Sequence, residues 1–456
     1  MIDIFSTSIR KKYLTDILVI GSGSAGSVAA IAASIGKHEV TIVERYGFPG
    51  GSSTQMLDTF YGFFTPSESS KKIVGGIPDL VVDKLNESGN VFLRPNTYGA
   101  GTGVNYNPEK LKQVWDNLLT KKNIRVLYHS ILVGVEKTAE TSKAIFFNKG
   151  TGFFLIEAKR VIDASGDADF CYFAGIDYEK AGEIDPVQSM TTSFRMSNVD
   201  LDEFTKAGGK EMLKDRMTDA VNRGTYPLPR KEGSAHEMCM PKCISTIAVK
   251  VVNHDALDVE SITKAEIEGR RQAFIFEDFF RGEIAGYQNS KIIGLSHQIG
   301  VRETRRVYGE YRLSKDDFLN ARQFENQIFL CGSPIEDHRK SLAGDSETFW
   351  EYVPNGGVYG VPYGTIVPKG STNTWVAGRC FSATHDAHAS CRSMAQTMSM
   401  GQAAGFAALQ SLETDSDAVG LNVNQLRDKL VEHGAILELP DNEADISRDG
   451  WINNRA

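Results

Sequence analysis

The run Gly21-Ser22-Gly23-Ser24-Ala25-Gly26 has the spacing that lets a backbone wrap a diphosphate. Gly21 permits a tight turn, Gly23 lets the main chain approach a phosphate, and Gly26 lets a helix pack close to a strand. A helix opening at such a turn offers unpaired N–H groups and about half a positive charge to an anion. Glu44 lies downstream, an acid suited to accept from ribose hydroxyls and to repel a 2′-phosphate. The chemistry implied is dinucleotide binding, with NADP disfavoured.

The elements around this turn have the order that such a site needs. Leu14–Ile20 reads as an apolar strand, Ser27–Ile35 as a helix of small residues, and Glu39–Val43 as a second strand ending at Glu44. Ala29, Ala30, Ala32 and Ala33 let the helix sit close to a sheet. Further on, Pro108–Thr120 has helical periodicity, while Asn123–Val135 and Lys143–Ile156 read as strands of a meander. Arg160–Ala164 reads as another apolar strand, running into Ser165-Gly166-Asp167. The middle differs in character. Met190–Met196 and Lys291–Leu313 read as strands, and Thr263–Gly286 as a long helix with Phe274, Phe276, Phe279 and Phe280 inward. Thr374–Ala377 is then a short strand, Gly378 a turn and Ser393–Leu412 a small-residue helix, before a short helix and a tail.

A chain of 456 residues is too long for one ordinary core. The expected division is an N-terminal part of the nucleotide domain over 1–174, a substrate-side domain over 175–355, and the rest of the nucleotide domain over 356–456. A net charge of −8 gives no basic stripe for nucleic acid. No run of apolar residues is long enough to span a membrane, and the start is not signal-like, so a cytoplasmic protein is expected. The six cysteines are too sparse for a disulfide scaffold. Cys239 and Cys243 flank Pro241, and no second pair completes a zinc set, so no metal is expected.

Three further segments specify the dinucleotide. Arg45 and then Gly50-Gly51-Ser52-Ser53 follow Glu44 and suit a loop along a ribityl chain and diphosphate. Ala164-Ser165-Gly166-Asp167 ends a strand, and Gly378-Arg379 follows another. The layout resembles the glutathione-reductase-type FAD fold. More narrowly it resembles the FAD-dependent oxidoreductase family, through Gly50-Gly51 and the segments Ile162–Asp169, Ile299–Arg306 and Ala377–Gly405. The fold expected is therefore α/β, a Rossmann-type (glutathione-reductase-like) FAD-binding domain with a second, mixed α+β substrate domain. The resemblance implies that Gly378 and Arg379 run beside the pyrophosphate and ribityl chain. It also implies that Met394, Ala395, Gln396 and Thr397, opening a helix, donate N–H groups to the N1–C2=O edge of the flavin, where reduction places negative charge.

Several residues are candidates for chemistry on that ring. His385 and His388, in the loop before the late helix, have the residue type of a general base, although each singly reads first as a structural histidine. Tyr363 or Tyr359 is a candidate for bonding substrate, and equally part of a rigid glycine-proline turn. On a strand, Arg302, Thr304 and Arg306 share one face and Glu303 and Arg305 the other. Such a face suits a carboxylate, or else an ion-paired domain junction. Arg392 is a candidate clamp for an anionic group, and His297 a weaker candidate. No cysteine pair lies beside Gly50-Gly51, no W-x-W signature of flavin halogenases is present, and no second glycine fingerprint marks a nicotinamide domain.

The expected function is an FAD-dependent dehydrogenase, oxidase or reductase that passes a hydride between a small organic substrate and flavin N5. The alternatives are a flavin monooxygenase using O₂, and a non-catalytic electron-relay flavoprotein. A homo-oligomer is compatible with the sequence, which does not specify the electron acceptor or donor.

Overall fold

The computed structural model describes residues 8–439 apart from 69, 97–98, 122, 138–140 and 339–347, together with 452. The tail expected after the last helix therefore lies mostly outside the described residues, as do residues 1–7. β1 (Lys11–Ile20) runs through the glycine turn into α1 (Ser24–Ala33) and β2 (Val40–Val43). α2 (Pro108–Leu119) leads to β3 (Ile124–Leu127), and a meander follows of β4 (Ile131–Lys137), β5 (Ser142–Asn148) and β6 (Gly152–Asp163). The middle supplies β7 (Phe194–Ser197), β8 (His236–Glu237), β9 (Ile244–Thr246), α3 (Val259–Glu283) and β10 (Lys291–Leu295). The chain returns in β11 (Thr374–Val376), α4 (His385–Cys391) and α5 (Met394–Thr414).

β3, β2, β1, β6 and β11 lie side by side and parallel, in that order. Ile17 to Ile20 and Val40 to Val43 are buried along their whole length, as strands covered on both faces must be. β6 has two jobs. Its first half pairs antiparallel with β5, Phe154 to Asp163 pair parallel with β1, and its last three residues pair parallel with β11. The two strands expected at Lys143–Ile156 and Arg160–Ala164 are thus a hairpin and the continuation of its second arm. α2 begins where Asn107 caps it, accepting from Glu109 N and Lys110 N at 3.1 and 3.4 Å, with Pro108 at the first position.

α1 is buried throughout, and α5 lies against it. The crossing is close because α5 presents glycine. A Cβ on Gly401 would stand 2.1 Å from Ala25 O, and one on Gly405 2.4 Å from Ala29 O.

A second core forms from residues between Met190 and Ile299. It packs α3 on a four-stranded antiparallel sheet in the order β8, β9, β7, β10. Asp258 caps α3 by accepting from Ser261 N at 2.8 Å. Phe276, Phe279 and Phe280 point inward as expected, but Phe274 is 51% exposed, because one helical stripe cannot hold it with the other three. The 175–355 segment divides between the cores: Val307, Leu313, Ile328, Leu330 and Val353 join the first. The long strand expected over Lys291–Leu313 is two pieces, Lys291–Leu295 and Arg305–Val307.

Ala is the better helix former in an open position by ~1 kcal/mol. At residue 401 the added methyl meets backbone, so Gly401→Ala is expected to destabilise the protein by roughly 1–3 kcal/mol instead. Thermal unfolding of the two proteins checks the sign.

Candidate functional site

A cavity of about 690 Å³ opens at the carboxyl ends of β1, β2, β6 and β11, where ligands of open α/β sheets bind. Its wall includes Gly21, Gly23, Ser24 and Ala25 from the first turn. Gly23 is the N-cap of α1, and neither a side-chain cap nor an acid covers that helix end. No atom lies within 4 Å of where a Gly23 Cβ would be, so the backbone is approachable there. A Cβ on Gly21 would stand 2.5 Å from Ala164 O, and one on Gly26 1.9 Å from Gly21 O. Gly26 thus acts by packing, behind the wall.

Glu44 lies on the wall at the end of β2 and is 6% exposed. It accepts from Ser22 N and Ser22 Oγ at 2.7 and 3.0 Å, and from Tyr46 N at 3.1 Å. Ser22 is itself fully buried, so its contribution is to tie Glu44 to the turn. Gly50 donates to Ser22 O at 2.6 Å and stands just behind Gly51 and Ser52, which reach the cavity. Ser53 is buried, donating to Gly50 O at 2.7 Å and accepting from Ser24 Oγ at 3.1 Å.

Arg45, Ala164, Ser165, Gly166, Gly378 and Arg379 also line the cavity. Asp167 does not. It accepts from Arg379 at 2.6 Å and Thr304 at 2.8 Å, which fixes the arginine beside the Gly378 turn. Burial would raise the Asp167 carboxyl, but Arg379 and Arg45 hold it below the usual range. At the start of α5, Met394 and Thr397 reach the cavity. Ala395 N instead donates to Tyr61 O at 3.1 Å, and the Gln396 side chain turns away to Gly62 O at 2.8 Å. The N-cap Ser393 has no side-chain cap bond, so apart from Ala395 N this helix end too meets the cavity without a side-chain cap.

The structure separates the expected chemical residues. Arg302 and Arg392 line the cavity, and His385, His388 and Tyr363 do not. His385 is buried between Glu303 and Asp337, each 3.2 Å from one ring nitrogen. Burial would lower its pKa, but the two carboxylates raise it to about 9. Both nitrogens then carry protons, so it has no lone pair to act as a base. His388 has the opposite fate. Burial and then Arg306 push it down to about 3, and Nε2 bonds Arg379 O at 2.7 Å. It braces the Gly378–Arg379 turn from behind. Tyr363 is buried, donating to Ala418 O and accepting from Trp375 Nε1, each at 2.8 Å. The face shared by Arg302, Thr304 and Arg306 does not form, since Arg306 is buried between Glu179 and Glu303. Only Arg305–Val307 is strand, so the alternation does not extend back to Arg302. Asp337, His385 and Asp386 bring ligand atoms within 4.8 Å of one another, but His385 bonds Glu303 and Asp337, and Asp386 pairs with Lys315.

The far side of the cavity is built from residues that no motif marked. Tyr61, Arg94, Arg230, Glu232, His236, Glu336, His338 and Trp350 line it. His338 Nε2 is 2.8 Å from Glu336, and its Nδ1 is 3.2 Å from Thr348 Oγ1, which donates to Glu232 at 2.5 Å. A period-two signal was present, since Glu336 and His338 alternate along one short extended stretch.

A parallel sheet with a glycine turn, an acid closing its second strand, and two uncapped helix ends on one cavity defines a dinucleotide-binding oxidoreductase. The chain belongs to the family described as FAD dependent oxidoreductase, which it matches over residues 16–430. Its cofactor is FAD, and the cavity fits that group, with an open Gly23 face for the pyrophosphate and the α5 end for the ring. No curated protein sequence matches the chain. Among solved structures, it is similar to a p-nitrophenol 4-monooxygenase from Pseudomonas putida at 9% identity, covering 97% of this chain and 96% of that one, with a TM-score of 0.49. It is also similar to a geranylgeranyl bacteriochlorophyll reductase-like protein from Thermoplasma acidophilum at 14% identity, covering 92% and 84%, with a TM-score of 0.45. Similarity this distant assigns no activity. Among the described residues, no helix is long and apolar enough to cross a membrane.

Removing a charged acceptor costs about 1.5–3 kcal/mol. Glu44→Ala is therefore expected to weaken FAD binding by roughly 10- to 100-fold, measured by titrating FAD into apoprotein. The raised His385 pKa gives a second expectation. Folding holds this proton from the ordinary value of about 6.5 up to about 9. The stability it confers is complete below the lower value and is lost as pH rises through the upper one. The melting temperature of wild type should fall across that window, and less steeply in His385→Gln.

Proposed function

We propose that this flavoenzyme transfers a hydride between a C–H bond of a small organic substrate and N5 of the flavin. The observation that carries this reading is one continuous cavity joining the cofactor cradle to a buried chamber that holds His338. FAD, when bound, supplies the two-electron acceptor. The chain binds it through the glycine turn, Glu44 and the Gly378 turn, and the start of α5 places partial positive charge where a reduced ring is negative.

His338 handles the proton. Burial and then Arg302 push its pKa down to about 3, so the ring is neutral. Nε2 donates to Glu336, which burial would raise but which His338, Arg392 and Arg302 hold down at about 2. Thr348 spends its only proton on Glu232, so the 3.2 Å contact from His338 Nδ1 to Thr348 Oγ1 contains no hydrogen. A proton arriving at Nδ1 completes that contact. Every link of the chain Glu336, His338, Thr348, Glu232 then carries one hydrogen, and an imidazolium lies between the Glu336 carboxylate and the Thr348 hydroxyl. The tautomer follows from the hydrogen-bond pattern.

Holoenzyme mixed anaerobically with candidate C–H donors should lose its oxidised-flavin absorbance with one of them. His338→Gln should keep its FAD and reduce more slowly by about 10²- to 10⁴-fold. Reduction only by NAD(P)H, followed by oxygen insertion into a second substrate, would overturn the proposal in favour of a monooxygenase. Reduction only by a partner protein would favour electron relay.

A further inference from the structure

We propose that the substrate is a carboxylate, held by a guanidinium cage of Arg94, Arg230, Arg302 and Arg392 on the far side of the cavity. The inference rests on reading this cavity as the substrate site. All four arginines line it, and they come from separate parts of the chain. Arg94 ends a short strand, Arg230 precedes β8, Arg302 precedes the Arg305–Val307 strand, and Arg392 ends α4.

Each has a framework bond that fixes it, and three of the four also keep one buried N–H without a partner among the described residues, so the cluster is under-satisfied as it stands. Arg94 Nη2 donates to Tyr61 Oη at 2.6 Å, and Nη1 has no partner among the described residues. Arg230 is 8% exposed and pairs with Glu232 at 2.8 Å, while its Nε has none. Arg392 donates to Gln188 Oε1 and Glu336 O, each at 3.1 Å, and its Nε has none. Arg302 donates to Ser189 O. Glu232 and Glu336 are the acids on this part of the wall among the described residues; Asp58 near Arg94 and Glu303 near Arg302 lie off the wall and are shared with Arg195 and with Arg306 and His385, so guanidiniums still outnumber the carboxylates that face them.

The excess is uncomfortable without a ligand. Burial and then the like charge of Arg392 pull Arg302 down to about 9. An anion in the cage removes that repulsion, and a guanidinium fork matches a carboxylate with two parallel hydrogen bonds. The same anion would offset the arginine charge that helps depress His338, so binding of an acid would prime the base beside it. Tyr61, Trp350 and Tyr352 on the same wall leave room for an apolar body.

The test is equilibrium binding to oxidised holoenzyme, followed by the visible flavin spectrum, with acetate, succinate and benzoate, each against its amide, and with inorganic phosphate. No turnover is needed, so a failure of hydride transfer does not touch the result. At least one carboxylate should perturb the spectrum where its amide does not. Arg302→Lys and Arg94→Gln should each weaken that carboxylate by roughly 10- to 100-fold with FAD content unchanged. Arg94→Gln carries the test if Arg302→Lys does not fold. Equal binding of acid and amide, binding of phosphate alone, no binding of any carboxylate, or unaltered affinity in the folded variants would overturn the proposal.

Discussion

The close crossing of α1 and α5 sets the geometry on which everything else depends. Two helices far apart in sequence touch backbone to backbone because Gly401 and Gly405 carry no Cβ to hold Ala25 and Ala29 away. That contact brings the open ends of both helices to one cavity. A glycine turn alone would give a phosphate site. With the second helix end beside it, the same sheet edge can hold a pyrophosphate and also stabilise charge on a ring some distance along.

Behind the cavity, charge is buried in a connected set. Glu179 and Glu303 clamp Arg306, Glu303 and Asp337 clamp His385, and Asp167 holds Arg379. These pairs join the strand after Gly300 to α4 and to the turn after β6. Buried ions are costly unless paired, and here each cation is met by an acid. The cavity wall is treated differently, with arginines in excess of acids on a protein whose net charge is −8. The local field at a site is set by which side chains face it, and the overall charge gives no guide to it.

This division explains what was legible beforehand. The cofactor half is written locally: Gly21, Gly50, Gly51 and Gly378 take positive φ, Gly26 is required by its packing on Gly21, and Glu44 follows the turn within one strand–helix–strand unit. Gly50, Ser53 and Asp167 were singled out with them and work one step back from the wall, since spacing cannot tell a lining residue from its support. The histidines of α4 are a sharper case. A His-x-x-His pair looks chemical in sequence, yet His385 and His388 are held by Glu303, Asp337 and the Arg379 carbonyl, partners remote in the chain. Conversely Arg94, Arg230 and His338 belong to no motif, because the chamber is assembled from isolated positions brought together only by tertiary packing.

β11 is three residues long and pairs with β6 at the edge of a sheet whose other parallel strands are all made by residue 163. The last fifth of the polypeptide therefore supplies the edge strand, the Gly378 turn and the helix that closes the cavity. On the ribosome, the first 174 residues can collapse with Val161–Asp163 of β6 still open on one side, since their final partner has not been made. The exposed edge persists through synthesis of the entire second core. Assembly of the nucleotide cradle is consequently a long-range event, since the Gly21 and Gly378 turns must meet across most of this sequence.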